Sequence, residues 1–213
     1  MSNTNRASIT VTASGPYLVE GIANVTNVTG DSLPVESGTQ LCRCGYSKSK
    51  PLCDGAHGPY QFTKAAQLDV TSEPSKTYGD VVQVHYNPTV CAHLGVCTHD
   101  LPEVFDVTNR PWVKPDNAAK ATVVETIRHC PSGALTHTVT SIAEQPHSAD
   151  VDEPSIRALR NGPLAVVGAV DLVGASFLDG ATHNRFALCR CGASRAMPFC
   201  DGSHKEESGS SPP

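Results

Sequence analysis

Cysteine and histidine side chains recur in this sequence at spacings that suit metal ligation. The chain has nine cysteines, an odd number that disulfide pairing alone cannot use. Six of them, with two histidines, belong to two copies of the pattern C-x-C-x₂-S-x₃-P-x-C-D-G-[AS]-H. The eight candidate ligands are Cys42, Cys44, Cys53 and His57 in the first copy and Cys189, Cys191, Cys200 and His204 in the second. Three thiols and one imidazole are donors that both iron-sulfur clusters and zinc accept.

The spacing within the first copy divides its four donors into two pairs. Cys53 and His57 are four residues apart, so one helical turn begun near Asp54 would place both on one face. Cys42 and Cys44 are two residues apart and, on extended chain, can hold a second metal from the opposite side. A two-iron cluster takes two ligands per iron. A structural zinc site is the alternative, but zinc modules usually pair their cysteines as C-x₂-C.

Both motifs match the CDGSH, or NEET-type, iron-sulfur family residue for residue. The resemblance implies two [2Fe-2S] clusters, each held by the three cysteines and the histidine of one copy. Three thiolates and one neutral imidazole leave the cluster less negative than four thiolates would, so we expect a higher reduction potential than for an all-cysteine cluster. The chain is similar to the tandem class of the family, which implies a monomer whose two copies form an internal pseudo-dimer around one β-rich core.

The two motifs are part of a longer internal repeat. Residues 8–57 and 155–204 are identical at 17 of 50 positions at a constant offset of 147, without a gap. Each copy begins with a short apolar stretch, a Gly-Pro turn and a second apolar stretch, which predicts short strands. Taken alone, the sequence of residues 153–160 is typical of a capped helix. Because their counterparts in the first copy alternate like a strand, we predict a strand there.

The segment between the copies contains the other three cysteines, Cys91, Cys97 and Cys130. Its C-x₅-C, followed after 32 residues by C-P, resembles a single-cluster bacterial ferredoxin. It departs from that pattern at Leu94, where the ferredoxin has a cysteine, and it also resembles a divergent single-cluster 4Fe-4S family. Two alternatives stay open. The cluster is a [3Fe-4S] held by three cysteines, or a [4Fe-4S] with His93 or an outside ligand on the fourth iron.

Local patterns in this segment predict the elements that position its cysteines. Residues 81–86 alternate like a strand, residues 111–113 are strand-like, and a helix capped by Asp116 extends through Ile127. We expect Trp112 to pack beside the cluster. Linkers and a frayed tail are predicted at residues 61–79, 141–154 and 205–213.

These observations predict an α+β, β-rich fold with the order A-B-A. Two CDGSH iron-sulfur repeats would form the pseudo-dimer, and a ferredoxin-like α+β domain is inserted between them. The predicted domains are a first CDGSH domain at 7–60, the ferredoxin-like domain at 76–142, a second CDGSH domain at 154–206 and a flexible tail at 207–213.

Composition and charge exclude several classes of partner. The chain of 213 residues has a net charge of −5, with the middle segment the most acidic, and no stripe of Lys or Arg that would bind nucleic acid. No run approaches the roughly 18 apolar residues of a membrane span. The first residues lack the apolar stretch of a secretory signal, so we expect a reducing, cytoplasmic and bacterial setting.

The function expected from these features is electron transfer between protein partners, one of them a reductase. The acidic middle segment would present a docking face to a basic redox partner. The sequence has no nucleotide-binding fingerprint and no acid-base pair beside the ligand loops, so we expect that the protein is not an enzyme. This includes an enzyme that would use an iron atom with an open coordination position as a Lewis acid. The alternative is cluster storage, transfer to an apo-iron-sulfur acceptor, or redox and pH sensing, because protonation releases a ligating imidazole from iron.

Overall fold

A computed structural model of the protein describes residues 6–63, 67–68, 73–139 and 152–205. The described residues are rich in β-structure, as the sequence predicts, with thirteen short strands and two helices. The strands are β1 (Ser8–Val11), β2 (Tyr17–Glu20), β3 (Asn24–Thr26), β4 (Thr39–Leu41), β5 (Gln67–Leu68), β6 (Lys76–Tyr78), β7 (Val82–Tyr86), β8 (Leu135–Val139), β9 (Ser155–Ala158), β10 (Leu164–Val167), β11 (Asp171–Val173), β12 (Arg185–Leu188) and β13 (Ala196–Met197). The helices are α1 (Val96–Asp100) and α2 (Lys120–Arg128). None of the helices in this part of the chain is long and apolar enough to cross a membrane.

The two copies exchange strands. One four-stranded sheet has the order β11-β1-β2-β4, and the other has the order β12-β10-β9-β3. β11 of the second copy pairs in parallel with β1, and β3 of the first copy pairs in parallel with β9. Since β3 and β11 are equivalent in the repeat, each copy completes the sheet of the other.

Alternating burial explains why the repeated segments form strands. In β1, Ile9 and Val11 are buried, whereas Ser8 and Thr10 are partly exposed, the period of two that a half-buried strand requires. Side chains from both copies meet in one hydrophobic core, which removes apolar surface from water more completely than either short sheet could alone. Large members of this core are Ile9, Tyr17, Leu41, Ile156, Leu164 and Leu188.

The middle module is a three-stranded antiparallel sheet, β6-β7-β8, with α1 and α2 beside it. Val123 and Ile127, four residues apart on α2, are buried in the core. Trp112 lies edge-on to Tyr86, with ring centroids 4.9 Å apart, and close to Phe105 at 6.1 Å. The tryptophan therefore packs as predicted.

The strand predicted from the repeat at residues 153–160 is confirmed as β9. The prediction that residues 61–79 are a linker is wrong in two places. Gln67–Leu68 pairs with β13 of the second copy, and Lys76–Tyr78 forms the edge of the middle sheet. The first segment pairs with a strand far away in the chain and the second with the next strand, β7, and in both places pairing overrides the loop-like local composition. Most of the predicted linker at 141–154, and the tail beyond Lys205, lie outside the described residues.

Two local predictions in the middle module are also wrong. Asp116 does not cap α2, because Pro115–Asn117 forms a separate 3-10 turn and α2 begins after Ala119. Proline at the first position of this turn favours its early start. The strand-like residues 111–113 contribute only an isolated bridge from Val113 to Phe105.

Candidate metal centres

Each CDGSH motif brings its four donors together as two close pairs. In the first copy the sulfurs of Cys42 and Cys44 are 3.8 Å apart, and Cys53 Sγ lies 3.5 Å from His57 Nδ1. In the second copy the corresponding distances are 3.6 Å for Cys189 and Cys191 and 3.5 Å for Cys200 and His204. Two ligands of one tetrahedral metal, at bond lengths of about 2.0 to 2.3 Å, lie about 3.5 to 3.8 Å apart. Each pair therefore has the spacing of two donors to a single metal atom.

The four donors of one motif do not converge on a single point. Among the described residues, no group of three or more Cys, His, Asp or Glu side chains is arranged to hold one metal ion. A mononuclear Cys₃His zinc site needs all four donors around one ion, whereas a two-iron cluster needs two pairs. The observed pairing fits the two-iron cluster.

Backbone hydrogen bonds fix the two pairs at the ends of the sheets. Cys42 follows β4 directly, and its N–H donates to Pro51 O at 2.8 Å, while Cys53 N–H donates to Gln40 O at 2.9 Å. The ligand loop is thus folded back on the strand that begins it. The second copy repeats both bonds, from Cys189 to Pro198 O at 2.7 Å and from Cys200 to Ala187 O at 2.9 Å.

The aspartate of each motif stabilises the turn that carries the histidine. The Asp54 carboxylate accepts hydrogen bonds from the N–H groups of Lys48 and Ala56 at 2.8 and 3.1 Å, which lower its pKa. Asp201 makes the equivalent bonds in the second copy. The predicted helical turn is a 3-10 turn at Ser203–Lys205 in the second copy and a series of non-helical turns in the first.

The two CDGSH centres lie back to back. Gly45 and Gly192 have φ angles of +88° and +81°, and a Cβ on Gly192 would lie 2.5 Å from Cys44 O. A Cβ on Gly45 would collide in the same way with Cys191 O. Glycine is required at both positions because the backbones of the two ligand loops are in direct contact.

An arginine, fully buried in the first copy and partly buried in the second, follows the first cysteine of each motif. Arg43 is fully buried, and it donates from Nε to Gly15 O at 2.9 Å and from Nη2 to Thr12 O at 2.7 Å. Arg190 repeats both bonds with Gly162 O and Leu159 O. Burial lowers the pKa of Arg43, and the nearby Tyr17 and Cys189 oppose that shift. For Arg190, whose pKa burial also lowers, the first opposing charge is Cys42 of the other copy. Each guanidinium therefore lies near a candidate ligand of the other centre.

The three cysteines of the middle module line one cavity of about 410 Å³, together with His93, Leu94 and Trp112. Burial raises the pKa of Cys97 to about 11, with further contributions from Cys130 and Cys91. Three thiols around a cavity, one buried and two partly buried, fit a cluster with several irons, whose positive charge would offset the unfavourable burial of thiolates. The structure thus brings together all three cysteines that the sequence selects.

The cysteine loop of the middle module also contacts the second CDGSH copy. His93, an exposed residue with φ of +51°, lies on the cavity rim with its Cβ 3.2 Å from the Cβ position of Gly202. Leu94 and Ala92 pack with Cys200 in a small apolar cluster. Sequence reasoning missed this contact, and no spacing signal could have found it, because the two segments are more than 100 residues apart.

Two family models match the chain. Residues 14–58 and 161–205 match the iron-binding zinc finger of CDGSH type, and residues 78–140 match the divergent 4Fe-4S mono-cluster. The resemblance read from the motifs is confirmed. CDGSH domains bind [2Fe-2S] clusters, and the mono-cluster domain binds a [4Fe-4S] cluster.

Two curated proteins match a short segment of the chain. The uncharacterized protein YjdI of Escherichia coli K12 is 40% identical over 57 residues, which cover 27% of this chain and 75% of that protein. The protein of the same name from Escherichia coli O157:H7 matches with the same figures. No solved structure matches the chain.

Proposed function

Since the chain belongs to the CDGSH-type iron-binding family, with a divergent 4Fe-4S mono-cluster domain between its two copies, we propose that it carries electrons between protein partners. Three clusters of these types supply reversible one-electron exchange when they are bound. The two CDGSH copies would act as an internal pseudo-dimer, because each completes the sheet of the other.

The proposed ligands are the donors that the structure brings together. Each CDGSH copy uses its two close pairs, one pair for each iron of a [2Fe-2S] cluster. The proposed ligands of the copies are Cys42, Cys44, Cys53, His57, Cys189, Cys191, Cys200 and His204. The middle cluster is held by Cys91, Cys97 and Cys130, and the family match favours [4Fe-4S] over [3Fe-4S]. His93 lies on the rim of the same cavity and is the candidate for the fourth iron.

The direct backbone contact between the two CDGSH ligand loops is the observation that carries this proposal. Cys44 and Cys191 stand at the contact, where Gly45 and Gly192 leave no room for an intervening side chain. Contact between the loops that hold two centres favours electron exchange between them, which needs no binding pocket for a substrate. An arrangement built for storage alone would not require the two ligand loops to touch.

The residues around the CDGSH centres exclude water and offset negative charge. Cys42 and Cys189 are buried, so solvent is kept from one side of each centre. The guanidinium groups of Arg43 and Arg190, held in place by backbone carbonyls, put a fixed positive charge close to both centres. A fixed cation favours the more negative state of a nearby centre and thus raises its reduction potential.

The proposed partner is a basic redox protein such as a reductase. The middle segment has the most negative net charge of the chain, and complementary charge speeds the encounter of redox proteins. Association should therefore weaken as the salt concentration rises.

The experiment that tests the proposal is metal and sulfide analysis with EPR-monitored redox titration of anaerobically purified protein. We expect eight irons per chain, no signal from the middle cluster until it is reduced, and full reoxidation without loss of iron. Seven irons with a signal in the oxidised protein would replace the [4Fe-4S] with a [3Fe-4S] cluster. Iron loss during one reduction cycle would contradict electron transfer, and zinc without sulfide would contradict all three assignments.

Cluster delivery is the second candidate, and the first copy favours it. Cys53 and His57 are partly exposed and the neighbouring residues 58–60 are exposed, whereas the equivalent Cys200 is buried. A cluster held at an open edge is easier for an acceptor protein to take. Stoichiometric conversion of an apo-ferredoxin to its holo form by the oxidised protein would support delivery. Absence of conversion would contradict delivery and leave electron transfer as the remaining candidate.

A further inference from the structure

The two CDGSH copies differ in what covers the turn after their third cysteine. In the second copy this turn packs against the cysteine loop, which we define as Cys91–Cys97 of the middle module. In the first copy the equivalent Gly55 faces open space, and apart from its chain neighbours no described heavy atom lies within 4 Å of its Cβ position. The repeat is symmetric in sequence, but its surroundings are not.

Three contacts hold the cysteine loop on the second copy. The Cβ position of Gly202 lies 3.2 Å from His93 Cβ and 3.4 Å from Ala92 O. The ammonium of Lys205 donates a hydrogen bond to the carbonyl oxygen of His93. Leu94 Cδ2 lies 3.4 Å from the Cβ position of Gly162.

The first copy lacks the means to make these contacts. The residue equivalent to Lys205 is Gly58, which has no side chain to donate. Gly15, the equivalent of Gly162, faces Thr12 and His57 of its own copy instead of a leucine from the middle module. Among the described residues, these contacts of the cysteine loop are therefore specific to the second copy.

The same loop carries two of the three candidate ligands of the middle cluster. Cys91 and Cys97 are its first and last residues, and Ala92 and Leu94 between them pack with Cys200. Cys200, a candidate ligand of the second centre, thus contacts the loop that carries two candidate ligands of the middle cluster.

We propose that the contact between the cysteine loop and the turn at Cys200–Lys205 makes the second CDGSH centre the direct electron-exchange partner of the middle cluster. This inference rests on the electron-transfer function proposed above. One electron leaves the middle cluster and one electron enters the second CDGSH centre, or the reverse, and no bond forms or breaks. The first centre exchanges with the middle cluster only through the second, across the contact at Gly45 and Gly192.

A matched pair of substitutions tests the contact. Gly202 and Gly55 have φ angles of +87° and +85°, and asparagine is among the residues that best tolerate this region. In Gly202→Asn the new side chain would push His93 and the cysteine loop away from the second copy. In the control Gly55→Asn it would extend into open space. Both variants carry the same backbone strain, so a difference between them reports the contact.

The readout is the EPR signal of the reduced middle cluster in the full-length, cluster-loaded protein titrated with dithionite. The His-ligated clusters are expected at higher potential, so they are already reduced and paramagnetic when the middle cluster accepts its electron. We expect a signal broadened by its neighbour in the unmodified protein and in Gly55→Asn, and loss of that broadening in Gly202→Asn at unchanged iron content. The inference would be overturned if the signal is not broadened in the unmodified protein, or if the broadening is equal in Gly202→Asn and Gly55→Asn.

Selective cluster removal gives a second, independent measurement. Cys200→Ala should abolish the broadening, whereas Cys53→Ala should leave it in place. The opposite outcome would assign the first copy as the direct partner and overturn the inference.

If Gly202→Asn loses iron, Lys205→Gly is tested in its place. This variant introduces the glycine that the first copy has at the equivalent position, and the same loss of broadening is expected. If any of these tests fails while all clusters are reduced reversibly, the proposed exchange between the middle cluster and the second centre is wrong, but the electron-transfer function stands. If the unmodified protein loses iron on reduction, the proposed function itself is contradicted.

Discussion

The hydroxyl of Tyr17, in the first copy, donates a hydrogen bond of 2.9 Å to the carbonyl oxygen of Cys189, in the second. Pro198 O accepts from the same hydroxyl at 3.1 Å, and the tyrosine ring is fully buried. Burial raises the pKa of Tyr17, so the phenol stays a neutral donor. A side chain of one copy thus anchors the backbone of a candidate ligand in the other.

Tyr17→Phe should destabilise the protein by about 1 to 2 kcal/mol, because the buried carbonyl of Cys189 loses its donor, whereas Pro198 O retains the N–H of Cys189. The urea midpoint of the cluster absorbance measures this loss. Tyr60→Phe is the control, because Tyr60 is 51% exposed and keeps its stacking on Tyr46 at 3.9 Å. Equal midpoints for the two variants would contradict an anchoring role for the hydroxyl.

Arg43→Met should destabilise the protein by about 2 to 4 kcal/mol, because the carbonyls of Gly15 and Thr12 would be left buried without a donor. Methionine fills most of the space, so the expected loss reflects hydrogen bonding more than a cavity. Urea denaturation followed by far-UV circular dichroism measures it. Arg190→Met should destabilise less, because Arg190 is less buried than Arg43. A larger effect at Arg190 would show that burial does not govern the contribution.

Gly45→Ala should disrupt the contact between the two CDGSH centres. A left-handed backbone already costs alanine about 1 to 2 kcal/mol, and the collision with Cys191 O adds to it. Gly38→Ala is the matched control, with φ of +80° and no described heavy atom within 4 Å of its Cβ position apart from chain neighbours. Thermal loss of cluster absorbance should occur at a clearly lower temperature in Gly45→Ala. The same temperature in both variants would mean that the loops are not in tight contact.

A fragment of residues 6–63 should fold only as a dimer. On its own its β3 lacks β9, and its β1 lacks β11, but two copies of the fragment can supply β3 to each other. Light scattering after iron and sulfide reconstitution measures the mass. A folded monomer that holds a cluster would show that the strand exchange is dispensable.

The chemistry of the site could be predicted from the sequence because ligand spacing is local. C-x-C and C-x₃-H fix which donors pair, and the structure shows those pairs at 3.5 to 3.8 Å. The repeat also corrected a misleading local pattern, since residues 155–158 form a strand despite their helix-like sequence.

What the sequence did not reveal depends on contacts between distant segments. A strand of three residues such as β3 can pair with any free edge, and nothing in its own residues distinguishes β9 from a strand of the same copy. The packing of Leu94 on the second copy has the same origin, as does the pairing of residues 67–68 with β13. Such pairings are decided by the total burial of the folded chain rather than by local preference.

The strand exchange also constrains the order of events during translation. The ribosome delivers the first copy well before residues 155–173 exist, so β1 and β3 leave the exit tunnel without their final neighbours. The nascent first copy must remain incomplete, with open sheet edges, until residues 155–173 have been made. During that time the open edges of β1 and β3 are free to pair with those of a second nascent chain on a neighbouring ribosome.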